Sequence, residues 1–334
     1  MSLLEKSPTK LVIRGVPISP PIALAPMVGL SHSAMRTLLL ERGGVGLFFT
    51  EMLTAGRLPH DNPGCSPLLM RQSREWPLFF QIVTADHHAI GAAVEKIHQL
   101  HGQGIDLNCG CPAPFIKKQG AGLALLDNRP ELQKILSTLR NCTELPISVK
   151  IRLGRQADST PLRQLCRFFE GEGVDLITIH ARLDGEKFCR RPRWSLVSEV
   201  IGDLSLPVFV NGGIFTLEDA RRCLEQSGAI GLMIGRGAIR NPHLCSEIAE
   251  NLFGVVGTVS PGTEQETFFR FFSLLEERFS PERRLGRLKQ FTAYFAEPLL
   301  FGHRLKSAVQ ASSSMAEAAE RAESFFHQCR KTAS

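Results

Sequence analysis

The stretch Asp106-Leu107-Asn108-Cys109-Gly110-Cys111-Pro112 puts a carboxylate, an amide and two thiols together, ahead of Lys117, Lys118 and a Gly120-Ala121-Gly122 turn. A thiol with an ordinary pKa of about 8.5 stays mostly protonated at neutral pH, so it can donate a proton as a general acid. On an exposed loop it can also act as a nucleophile. Cys111, followed by Pro112, is the candidate for such a role, whereas Cys109 reads as a small buried hydrophobe. Farther along, Gly212-Gly213 and Gly235-Arg236-Gly237 would expose backbone N–H groups, and Arg236 adds a positive charge. That composition suits a phosphate. Lys150, His180 and Gln81 could reach the edge of a planar heterocycle. The nine cysteines are an odd number, are scattered and contain no CxxC pair, which argues against a disulfide framework and against a structural metal.

These residues need elements to position them. Eight short apolar runs recur along the chain: Ile22–Ala25, Leu47–Thr50, Leu78–Val83, Ile105–Asn108, Ile147–Ile151, Leu176–His180, Val208–Asn211 and Gly231–Ile234. Each has the composition of a parallel strand covered on both faces. Amphipathic segments lie between them, at His88–His101, Pro130–Asn141, Pro161–Gly171 and Leu217–Gln226, with Asn128 and Thr216 as candidate caps. The fold class is therefore α/β, a (β/α)8 TIM barrel. An open doubly wound sheet is the weaker alternative, because no GxGxxG follows the first strand. A barrel needs about 250 of the 334 residues. After about residue 250 the strand signal stops, and Thr263–Phe279, Pro281–Phe295 and Ser314–Lys331 look helical. We expect a catalytic barrel over 1–250 and a small C-terminal all-α helical bundle over 251–334, joined through Gly254–Gly262.

Active sites of such barrels lie at the C-terminal ends of the strands. The residues there are Pro26 and Met27, Glu51, Gln81, Asn108, Lys150 and Arg152, His180, Asn211 with Gly212 and Gly213, and Gly235 with Arg236. Any one alone would more often be a satisfied structural polar group; a set converging on one rim is a site. Hydrophobic residues make up 43% and charged residues 22%, enough for an ordinary soluble core. The net charge of +6 is concentrated. Arg278, Arg283, Arg284, Arg287, Lys289, Arg304 and Lys306 form one basic run, and Arg182, Lys187, Arg190, Arg191 and Arg193 form another. Clustered basic charge is a nucleic-acid footprint, although a solvated helix face gives the same pattern. The N-terminus shows no signal peptide, and the early apolar stretch is too short to cross a bilayer. A cytoplasmic monomer that touches no membrane is expected.

These residues resemble the dihydrouridine synthase family from Pro20 to about Pro242. The matching stretches are Ala25-Pro26-Met27, Asn108-x-Gly110-Cys111-Pro112, Val149-Lys150-x-Arg152-x-Gly154, Ile179-His180-Ala181-Arg182, Asn211-Gly212-Gly213-Ile214 and Met233-Ile234-Gly235-Arg236-Gly237-Ala238. The resemblance implies an FMN enzyme that uses NADPH to reduce the C5=C6 bond of uridines in tRNA. Cys111 would be its general acid. Pro26, Met27, Gln81, Lys150, His180, Asn211, Gly213, Gly235 and Arg236 would hold FMN. Asn108 and Arg152 would contact the base, and Arg182, Arg283, Arg284, Arg287 and Lys289 the RNA. The family's usual Tyr-x-Gly and acidic residue before Trp are replaced here by the basic Lys187–Trp194. Tyr294 and Phe291 are expected to pack the bundle. An FMN barrel reductase acting on a small molecule, and a non-catalytic RNA-binding protein, are the competing readings. Neither would need both Cys111 and the basic tail.

Overall fold

A computed structural model describes residues 9–255 and 262–333 of the chain. A short antiparallel hairpin, β1 (Leu11–Ile13) and β2 (Val16–Ile18), comes first. Nine parallel strands follow: β3 (Ile22–Leu24), β4 (Phe48–Phe49), β5 (Leu53–Thr54), β6 (Leu78–Val83), β7 (Gly104–Asn108), β8 (Ile147–Arg152), β9 (Leu176–His180), β10 (Val208–Asn211) and β11 (Gly231–Ile234). The sheet runs β3-β11-β10-β9-β8-β7-β6-β4, with β5 extending the β4 edge along β6. A bridge between Ala23 and Leu47 brings β3 to β4 and closes the barrel. Almost every strand residue is buried, as expected of strands with side chains filling the barrel on one face and helices covering the other.

Helices interleave: α1 (Ser33–Arg42), α2 (Ile90–Gln99), α3 (Pro114–Lys118), α4 (Arg129–Cys142), α5 (Ser159–Gly171), α6 (Trp194–Ile201), α7 (Leu217–Ser227), α8 (Arg236–Arg240) and α9 (Leu244–Phe253). Asn128 and Thr216 accept from the N–H groups of Glu131 and Asp219 and so cap α4 and α7, as their residue types foretell. The second strand is shorter than its apolar run. The Thr50 side chain accepts from the Gln81 N–H at 3.0 Å, and only Phe48–Phe49 pairs as a strand.

The chain ends in α10 (Glu264–Arg278), α11 (Pro281–Phe295), α12 (Gly302–Gln310) and α13 (Met315–Ala333). Thr263 and Glu266 form a capping box that fixes the start of α10. Most of the expected linker, 256–261, lies outside the described residues. The bundle is not a separate bead: its phenylalanines join one apolar core with the barrel. Helix α10 lies against α1, where Arg270 holds Glu41 with two hydrogen bonds of 2.6 and 2.8 Å. No helix among the described residues is long and apolar enough to cross a membrane.

Candidate active site

At the C-terminal rim of the barrel is a cavity of about 440 Å³. Its walls include Pro26, Met27, Gln81, Asn108, Cys111, Lys150, Arg152, His180, Arg182, Asn211, Gly213, Gly235 and Arg236. The structure thus brings together the thiol candidate, the proposed cofactor-holding residues and three of the proposed substrate contacts. Four basic side chains line it, Lys150, Arg152, Arg182 and Arg236, and no carboxylate does. Such a lining favours an anionic ligand.

Cys111 sits at the start of the loop after β7. Its N–H and that of Gly110 donate to Asn108 Oδ1 at 2.9 and 3.2 Å, and its carbonyl accepts from the Leu123 N–H at 3.1 Å. Gly122 makes this last contact possible: at φ +60°, a Cβ there would stand 2.9 Å from the Cys111 carbonyl oxygen. Cys111 is half-buried on the cavity wall, while Cys109 is fully buried and burial pushes its thiol well up. The two thiols therefore differ as the sequence suggests.

Lys150 donates to Asn211 Oδ1 at 3.1 Å, and Asn211 in turn donates to the Met233 carbonyl at 2.7 Å, so β8, β10 and β11 are tied at the rim. Burial draws the Lys150 ammonium down to about 8, against the pull of Asp106. His180 lies 2.9 Å from Arg182 Nη1 through its Nε2. Because the guanidinium can only donate, Nε2 must accept and Nδ1 carries the proton. Burial, then the charges of Lys150, Arg152, Arg182 and Arg236, push the His180 pKa far down, so the ring is neutral. Beneath these groups Asp106 is fully buried, and burial raises its carboxyl to about 6.

The three arginines face the cavity but also donate to backbone, Arg236 to the Phe188 carbonyl at 3.2 Å. Arg152 donates to the carbonyls of Gly110 at 3.2 Å and Leu183 at 3.0 Å. Arg182 donates to those of Arg190 at 2.8 Å and Phe188 at 3.1 Å. Both hold the 183–193 loop over the site. In that loop Phe188 presents its ring to the Arg236 guanidinium at 5.1 Å and stacks near His180. Arg190 and Arg191 are exposed, whereas Arg193 is engaged by Glu186 at 2.6 Å. At the eighth strand, Gly237 packs so closely that a Cβ would stand 2.1 Å from the Ile214 carbonyl oxygen, which leaves room for glycine alone.

The structure does not bring the basic residues of α11 into the cavity. Arg283 is exposed, and Arg284 donates to the carbonyls of Phe279 at 2.7 Å and Glu276 at 3.0 Å, closing the end of α10. Arg287 lies over the Phe279 ring at 4.2 Å, and Lys289 is half-buried. Instead α11 supplies Gln290 and Tyr294 to the cavity mouth. Gln290 Nε2 donates to the Val28 carbonyl at 3.1 Å, beside Met27. Phe291 packs the bundle as expected, stacked on Phe271 with ring centres 4.0 Å apart, and Tyr294 packs against the core as well while also lining the cavity. Helical spacing puts Gln290 and Tyr294, four residues apart, on one face of α11, but which face meets the barrel is set by tertiary packing. The exposed loop after β6 carries Asp86, His87 and His88, with potential ligand atoms within 4.8 Å of one another, and His87 is held by Glu131 at 2.7 Å.

A family model described as dihydrouridine synthase matches residues 23–330. A tRNA-dihydrouridine(16) synthase of Aquipseudomonas alcaligenes is 32% identical over 281 residues, covering 81% of this chain and 89% of that protein. A probable tRNA-dihydrouridine synthase of Rhodobacter capsulatus is 30% identical over 253 residues, 75% of this chain and 78% of that one. Among solved structures, histamine dehydrogenase from Rhizobium sp. 4-9 superposes with a TM-score of 0.59 at 11% identity, covering 82% of this chain and 51% of that one. This chain spans about half that structure's length, and the likeness is one of barrel fold. With the family match running from the first barrel strand into the last helix, and the motif residues gathered on one cavity, the chain belongs to the dihydrouridine synthase family.

Proposed function

We propose that the chain is a flavin-dependent oxidoreductase that reduces specific uridines of tRNA to 5,6-dihydrouridine, with FMN in the rim cavity and NADPH as reductant. The observation that carries this reading is a wall of four basic side chains and no carboxylate with a half-buried thiol among them. A ligand with a phosphate tail and a ring that becomes anionic on reduction fits that donor set. Arg236 and the close-packed backbone at Gly213 and Gly235 would take the phosphate. Lys150 and neutral His180 would donate to the ring edge, with Gln81 and Asn211 alongside and Pro26 and Met27 against a face. Bound there, reduced FMN would supply the hydride that goes to uracil C6.

This chain's own residues do the rest. Asn108 and Arg152 polarise and orient the base. The Cys111 thiol holds the proton that goes to C5, a role worth about 10²–10⁴ in rate. The target uridine must leave its stack, at a cost of a few kcal/mol. Gln290 and Tyr294 at the mouth receive the extruded nucleotide. Arg283, Lys289, Arg190 and Arg191 contact phosphates on either side and offset the cost electrostatically. Acting on tRNA, the protein works in the cytoplasm. Mapping dihydrouridine in cellular tRNA tests the reading. Sites present with the gene, absent without it and not restored by a Cys111→Ala copy are expected; an unchanged map overturns it.

A further inference from the structure

A chain of hydrogen bonds runs through the floor of the site and ends at the thiol loop. Asp106, on β7, is fully buried. Its Oδ1 accepts from Ser148 Oγ at 2.6 Å and its Oδ2 from Gln81 Nε2 at 2.6 Å. Gln81 Oε1 then accepts from Asn108 Nδ2 at 2.9 Å. Asn108 Oδ1 accepts from the N–H groups of Gly110 and Cys111. The direction of every link follows from the first. An ionised carboxylate can only accept, so the Gln81 amide must turn its nitrogen towards Asp106 and its oxygen away. That oxygen can only accept, so Asn108 must turn its nitrogen to Gln81 and its oxygen to the loop. If either amide flipped, two nitrogens or two oxygens would face each other in a buried place, where unpaired polar groups are costly.

We infer that Asp106 is a positioning residue: as an acceptor beneath the site, it fixes the Gln81 and Asn108 amides and so holds the Cys111 loop in place. The inference deepens the functional reading above by giving Cys111 its support, and its geometry belongs to the chain alone. Asp106 is not on the cavity wall; it bonds Gln81, which is, and is not itself a catalytic residue. Lys150 and Cys109 are the other titratable groups that act on it. Burial pushes its carboxyl up to about 6 while the Gln81 and Ser148 hydrogen bonds pull it down, so at neutral pH it is mainly the ionised acceptor that this geometry requires.

The test is hydrogen exchange read by mass spectrometry on flavin-free protein. Asp106→Leu removes the acceptor and keeps the branched shape, with two methyl groups in place of the oxygens. Asp106→Asn keeps an oxygen that can face Gln81 while its nitrogen faces Ser148. We expect Asp106→Leu to exchange at least tenfold faster in the peptide holding Gly110 and Cys111, while β9 and β10 keep their protection. Asp106→Asn should retain most of the loop's protection. A purely structural role would lower protection throughout the barrel. Unchanged loop exchange in Asp106→Leu, or an equal loss in Asp106→Asn, overturns the inference. If Asp106→Leu does not fold, Gln81→Leu cuts the middle link and must give the same local loss, and intact loop protection there overturns the inference as well. None of these readouts uses tRNA or flavin, so they fail or succeed separately from the proposed activity. With flavin reduced by dithionite, oxidation by tRNA should be at least tenfold slower in Asp106→Leu than in Asp106→Asn. Wild-type protein that tRNA does not oxidise would refute the activity and leave the exchange result standing.

Discussion

Lys150→Met should make the flavin-free protein more stable. The ammonium is drawn into the cavity wall, where burial lowers its pKa from 10.5 to about 8. At about 1.4 kcal/mol per tenfold change in protonation, the charged form is disfavoured in the fold by about 3 kcal/mol. Water reaching the cavity mouth reduces that to about 2 kcal/mol. Methionine has similar length and no charge, but it forfeits the 3.1 Å bond to Asn211, worth about 1 kcal/mol. The net expectation is a gain of about 1 kcal/mol at pH 7. Its pH dependence has a definite sign. A base whose pKa is depressed in the fold destabilises it fully below about 8, and the cost fades as pH rises to 10.5. Urea denaturation of both proteins at about pH 7 and about pH 10.5 measures this, with other groups cancelling in the difference. At the higher pH the variant should be the weaker by about the value of the lost hydrogen bond. Added FMN should stabilise wild type more than the variant. Equal destabilisation of Lys150→Met at both pH values would refute the reasoning.

Two further predictions separate structural arginines from RNA-binding ones. Arg284→Ala uncovers two carbonyls at the end of α10, so it should cost about 1–2 kcal/mol in denaturation and leave the salt dependence of tRNA binding nearly unchanged. Neutralising exposed Arg190 and Arg191 should do the reverse, flattening the salt slope by about 0.7–0.9 for each phosphate no longer neutralised, with little effect on stability; an unchanged slope would remove the loop from the RNA-binding surface. Adding Arg193 should contribute less, because Glu186 already neutralises it.

The strands were legible because burial on both faces leaves an uninterrupted apolar run, and β6, β9, β10 and β11 end where those runs end. Their polar termini pointed to the rim, which is why the charged and amide groups that the strands bring to the cavity wall could be named from the sequence. Helix α1 was not legible. It is wedged between the barrel and α10, and Ser33, Arg36 and Thr37 are buried with its leucines, so no polar face marks it. Arg36 is tolerated there through Glu75 at 2.6 Å and the Ser31 and Met70 carbonyls. Side-chain type alone also could not separate an arginine aimed at substrate from one holding a loop, as Arg152, Arg182 and Arg284 illustrate. The approach of Gln290 to Val28 spans most of the chain, and only tertiary packing creates it. The role of Asp106 depends on which way two amides point, and that follows from partners on three different strands.

The most direct test of the account is mass spectrometry of a defined tRNA transcript after incubation with flavin-loaded protein and NADPH. Uridine reduction adds two hydrogens, so a nuclease fragment should gain about 2 Da at particular uridines, and Cys111→Ala, with its flavin intact, should slow that gain by about 10²–10⁴. A transcript left unchanged by the loaded wild-type protein, or modified equally well without the Cys111 thiol, would contradict it.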